Sequence, residues 1–130
     1  MKAGLKFAFQ NHGIEFGIID DVFIADILLK NTDPRYVSLE LDIYHMLKSG
    51  NEPISFMVRN AGRIPILHFF AMDNKGKYQV DDEGMSNLKG IVGTAKKIGV
   101  NYLILEGNDL EDLMRFIKKS YPVLKQLLQD

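Results

Sequence analysis

The 130-residue chain contains no cysteine, which removes disulfide scaffolds, thiolate metal sites and cysteine nucleophiles from consideration. It has no excess of charge of either sign: 16 Lys and Arg stand against 17 Asp and Glu, a formal net charge of −1. No global basic field therefore favours nucleic acid or an anionic membrane. It lacks any apolar run near the roughly 20 residues of a membrane helix. The start, MKAGLKFAF, carries two lysines but no long apolar core with a small-residue cleavage site, so a signal peptide is not expected. There is no Pro/Ser-rich linker and no low-complexity tract. These absences leave one soluble, cytoplasmic domain spanning residues 1–130, with the 46% apolar and 25% charged content of an ordinary globular protein.

What is present is an alternation. Four segments rich in branched and aromatic residues recur, at 5–9, 37–43, 64–69 and 100–105. Between them the apolar spacing is helical. Val22 to Lys30 has Asp20 or Asp21 available as N-cap. The stretch from Tyr44 to Ala61 is interrupted at Gly50, and Pro53 after Asn51 has the look of an early helical position behind a cap. Ser86 to Ile98 runs from a serine cap to Gly99. Asp109 to Leu128 opens on the acidic pair Asp109 and Asp112, and Pro122 is expected to kink or divide it. Four strand–helix alternations predict an α/β fold of parallel strands with crossover helices. Strands apolar on both faces suit a sheet that is covered or closed on itself.

Each strand runs into one polar residue at its C-terminal end: Gln10, Asp42, His68 and Glu106. In a parallel sheet these ends share one edge, where ligands bind, and in a strand–helix barrel that edge is the catalytic face. Two carboxylates and an imidazole there suit a divalent ion such as Mn, Mg, Zn or Co. Each has a structural counterpart reading: an acid at a strand end caps the next helix, and a histidine in "ILHFF" can be a satisfied core residue. Their joint placement favours a shared site, with His12 and His45 on the same rim. The acids of "IIDD" and "LELDI" also evoke a receiver-domain pocket, but Asp21 and Asp42 are too close in sequence for that fold.

Beyond spacing, the ordered motifs resemble the xylose-isomerase-like sugar phosphate isomerases and epimerases. "FAFQNHGIEF" (7–16) is similar to that family's aromatic-His-Asn-His-x-x-Glu-Phe strand. "LELDIYHMLKSGNEP" (39–53) resembles its Glu-x-Asp strand and following loop, and "GRIPILHFFAMDNKGKY" (62–78) its Gly-Arg-Ile strand ending in His. "DDEGMSNL" (81–88) and "GVNYLILEGND" (99–109) resemble its Gly-Glu-Gly loop and last strand. The resemblance implies four strand–helix units of a TIM-barrel-type fold, the fifth to eighth strands of eight. It implies Asp42, His68 and Glu106 as metal ligands, Glu106 as acid/base in an enediolate mechanism, and His45, His12 and Arg63 as substrate contacts, with a structural role for Arg63 preferred. The implied substrate is a sugar or sugar phosphate; the alternative is a non-catalytic half-barrel relic or interaction module. Open sheet edges imply a homodimer. Departures are Gln10 where the family has His, and Phe70 and Ala71 where it has Lys and Asp. A fourth ligand then falls to Glu15, His12, water or a partner chain.

Overall fold

The computed structural model describes residues 4–70, 82–106 and 113–129, without the side chains of 70, 82–87, 113, 115, 116 and 119. Ala71, Asp109 and Asp112 lie outside the described residues, as do the side chains of Phe70 and Ser86. In chain order the elements are β1 (Phe7–Gln10), a 3-10 turn (Ile14–Phe16), β2 (Ile18–Ile19), β3 (Val22–Phe23), α1 (Ile24–Lys30), β4 (Val37–Asp42) and α2 (Ile43–Lys48). They continue with α3 (Pro53–Arg59), β5 (Ile66–Phe70), α4 (Asp82–Ile98), β6 (Tyr102–Glu106) and α5 (Leu113–Gln129).

β1, β4, β5 and β6 form one sheet in that order, and every pairing is parallel. Spatial order follows chain order, so each connection steps once to the neighbouring strand with helices between. Among the described residues, β1 and β6 are free edges. No described helix is long and apolar enough to cross a membrane.

Register and alternation divide the sheet into two unlike faces. Leu39, Leu41, Leu67 and Phe69 face the helices and are almost fully buried with Ala25, Leu29, Ile43, Met46, Phe56, Met57, Ile91, Val92 and Ala95. The opposite face carries Gln10, Ser38, Glu40, Asp42, Ile66, His68, Tyr102, Ile104 and Glu106. Tyr102 is 67% exposed and Ile104 39%, so no described helix covers this face. The strands are therefore not apolar on both faces: one face is core and the other turns polar toward the strand C-termini.

Local chemistry fixes the helix ends. Glu52, rather than Asn51, caps α3, its carboxylate taking the N–H groups of Ile54 and Ser55 at 2.8 Å each behind Pro53 in the first turn. Gly50 and Gly99 adopt φ of +76° and +80° after α2 and α4. At Gly99 the chain closes a Schellman motif: Val100 N–H donates to Ala95 C=O (3.0 Å) and Gly99 N–H to Lys96 C=O (3.4 Å). α4 begins at Asp82, before the expected serine cap. Pro122 does not divide α5, which continues as one helix through it.

The helix expected from Val22 starts later. Val22 and Phe23 pair antiparallel with Ile18 and Ile19, and Asp20 and Asp21 form the two-residue turn at φ of 49° and 63°. Aspartate tolerates the left-handed region, so branched residues flanking Asp-Asp close a hairpin instead of a cap. Ile24 N–H donates to Gly17 C=O at 3.1 Å and joins this hairpin to the start of α1.

Candidate active site

Gln10, Asp42 and Glu106 end β1, β4 and β6, and His68, two residues before the end of β5, joins them on the same face toward the rim. In register, Gln10 pairs with Glu40, Asp42 with His68, and Phe70 with Glu106. His68 is the centre: its ring is almost fully buried, with carboxylates on both sides. Glu40 Oε1 and Asp42 Oδ2 lie 3.5 and 3.6 Å from Nδ1, and Glu106 Oε2 lies 2.9 Å from Nε2. The Gln10 side-chain nitrogen contacts His68 Nδ1 and donates to Asp42 Oδ2 at 3.3 Å. Although Glu106 is close, Nε2 makes no hydrogen bond of proper direction and is a buried atom without a partner. Glu106 is about half exposed, which leaves its carboxylate room to rotate.

Asp42 divides its carboxylate. Oδ1 accepts the His45 N–H at 3.1 Å as the N-cap of α2, while Oδ2 faces Gln10 and His68. One carboxylate thus both caps α2 and faces the rim. Its main chain is clamped by Asn11, which is fully buried: Asp42 N–H donates to Asn11 Oδ1 (2.8 Å), and Asn11 Nδ2 donates to Asp42 C=O (3.2 Å). This side-chain rung prolongs the β1–β4 ladder past its last strand pair.

His12 and His45 meet on the rim with ring centroids 5.1 Å apart. Glu15 accepts the His12 backbone N–H at 2.7 Å and so closes its own turn. Arg63 does not join the rim. Its guanidinium donates to the carbonyls of Leu29 (2.7 Å) and Val37 (3.3 Å) and to Thr32 Oγ1 (2.9 Å), tying the end of α1 to the start of β4 at the far end of the strands. The expected substrate contact at Arg63 thus gives way to its structural alternative. Glu40 and Asn11 were not singled out from sequence. Glu40 had a usable signal, since it lies two residues before Asp42 on the same face of the strand; Asn11 had one in matching the Asn of the aromatic-His-Asn-His motif.

The expected ligand set needs a single cation position. Asp42 and Glu106 approach opposite nitrogens of His68, and a neutral imidazole has one lone pair. An ion bound to His68 would then lie beside one carboxylate or the other. Among the described residues no three His, Asp or Glu side chains converge on a cation position. As arranged, Asp42, His68 and Glu106 do not fit a shared ion. A separate hollow of about 440 Å³ lies at the N-terminal ends of the strands, lined by Lys6, Tyr36, Ile64, Ile66, Asn101 and Tyr102. It is remote from the rim and holds none of its residues.

The sequential parallel sheet, with helices on one face and carboxylates toward the strand C-termini, defines part of a strand–helix barrel. No family model and no curated protein matches the chain. A solved sugar phosphate isomerase/epimerase from Parabacteroides distasonis matches 98% of the chain at 26% identity, with a TM-score of 0.77. A second structure of that description from the same organism matches 95% at 22% identity, with a TM-score of 0.67. The chain spans 46% and 45% of those two proteins. By structure it is similar to these sugar phosphate isomerase/epimerases and has the fold of about half of such a barrel.

Proposed function

We propose that this chain provides half of a sugar or sugar phosphate isomerase/epimerase site. The observation that carries the reading is the buried His68 bracketed by Glu40, Asp42 and Glu106 at the rim of a sheet with this fold. Glu106, the most exposed of the three acids, is the acid/base. Its carboxylate takes the proton from the carbon next to a sugar carbonyl. The C–H electrons form the enediolate double bond, and the carbonyl π pair moves onto oxygen, which needs a hydrogen-bond donor at that moment. Return of the proton to the neighbouring carbon, with the hydroxyl proton of the new carbonyl carbon passing to the other oxygen, gives the isomer; return to the opposite face of the same carbon gives the epimer. The buried Nε2 of His68 stands 2.9 Å from Glu106, where such a donor is required.

The test is solvent deuterium exchange into a panel of aldoses, ketoses and their phosphates, read by NMR, with Mn, Mg, Zn and Co added singly. Exchange into one substrate, abolished by Glu106→Gln, is the expected result. No exchange into any of them, in a chain shown to be folded, overturns the reading in favour of a non-catalytic module.

The reading extends to assembly as a homodimer. Four strands with two free edges, a face left uncovered at Tyr102 and Ile104, and a match to half of longer barrels support a second copy completing the rim.

A further inference from the structure

A carboxylate can only accept, so the Gln10 group turned toward Asp42 Oδ2 is its NH2. The same nitrogen contacts His68 Nδ1. One amide thus offers its two hydrogens to an oxygen anion and to a ring nitrogen, and Nδ1 must present its lone pair to receive one. In the neutral ring the proton is then on Nε2, which is buried, lacks an in-line acceptor and lies beside Glu106.

We propose that Gln10 is a positioning residue whose amide stands where a cation would sit between Asp42 and His68, fixing His68 in its Nε2–H form. That form is the hydrogen-bond donor the developing oxyanion needs, so this inference deepens the isomerase reading and rests on it. It also accounts for the failure of Asp42, His68 and Glu106 to face one ion. A divalent ion approaching Nδ1 has to displace the amide, and the native chain binds such ions weakly at this place. Gln10→Glu reverses the situation: the new carboxylate cannot donate, it adds negative charge beside Asp42, and a cation becomes the stabilising occupant.

The test uses ¹⁵N-labelled chain near neutral pH and reads the imidazole nitrogens directly, with Mn²⁺ as the probe ion. Native His68 is expected as the Nε2–H tautomer, and Gln10→Ala is expected to give a tautomer mixture at His68 while the His12 and His45 signals and the thermal melt stay in place. Paramagnetic broadening of His68 by Mn²⁺ should require at least about tenfold more ion in the native chain than in Gln10→Glu, equivalent to about 1.4 kcal/mol. Should Gln10→Glu not fold, the Gln10→Ala spectrum decides alone. A native His68 protonated on Nδ1, or one that Mn²⁺ broadens as readily as in Gln10→Glu, overturns the proposal. Turnover is not read here. A chain inert on every sugar but showing the Nε2–H form removes only the functional reading, and catalysis with Mn²⁺ on native His68 removes only this one.

Discussion

Asp42 uses one carboxylate for two purposes, starting α2 with Oδ1 and facing Gln10 and His68 with Oδ2. Glu52 shows the first purpose by itself. The Ser55 N–H, joined by that of Ile54, holds its carboxyl below the usual glutamate range against the opposing effect of burial. Because the folded-state value is depressed, ionised Glu52 contributes its stability in full above the ordinary value of 4.5, and the contribution is lost as pH falls through the lower folded value. Glu52→Gln should therefore flatten the acid limb of stability against pH by lowering neutral stability toward the value the native chain has in acid. Glu52→Ala should cost about 1 kcal/mol at neutral pH. Urea midpoints across pH decide this, and an unchanged acid limb in Glu52→Gln would exclude the cap as its source. At this scale the rim was legible wherever strand alternation alone sufficed. Asp42 and Glu106 were recoverable because each ends an apolar strand; His68 was recoverable as the polar residue of an apolar run, although β5 continues past it to Phe70. Which nitrogen of His68 each acid faces depends on side-chain rotation across three strands, and no one-dimensional pattern carries that.

Among elements, the four sheet strands, the break at Gly50 and the stop at Gly99 were legible because each has a local cause: branched apolar runs, or a backbone needing positive φ. The β2–β3 hairpin was not, since an acid pair before an apolar segment is equally a helix cap. Tertiary context decides between them. Phe23, brought forward by the hairpin, packs edge-on against Phe16 with centroids 6.0 Å apart and lies 6.4 Å from Phe56, burial that a helix beginning at Val22 would redirect. Asp21, at φ 63°, bears a conformational cost that glycine would not. Asp21→Gly is expected to raise stability by about 1 kcal/mol, the order of a left-handed penalty. A chemical denaturation curve provides the measurement, and a loss of stability would show that the aspartate side chain is needed at the turn.

At the scale of the molecule, a closed strand–helix barrel fills its interior with layers of side chains contributed by alternate strands. Four strands furnish half of such layers, and the hollow of about 440 Å³ beside Ile66 and Tyr102 lies on the side where the others would enter. The two free edges run in the same direction, so β6 of one copy can ladder in parallel with β1 of another, and a two-fold axis along the barrel closes both junctions. That arrangement sets two groups of Glu40, Asp42 and Glu106 around one mouth. Their mutual repulsion acts over distances comparable to the Debye length of about 10 Å at 0.1 M salt. The dimer is therefore expected to tighten as salt is added, the reverse of an interface held by ion pairs. Tyr102→Asp places a charge on a side chain that is exposed in the single copy, so it should leave each copy folded while splitting the pair. Sedimentation equilibrium over a range of salt, with circular dichroism as the control for folding, tests both statements. A native chain that sediments as a monomer at every salt and concentration, or a Tyr102→Asp variant that dimerises like the native chain, would rule out this closure.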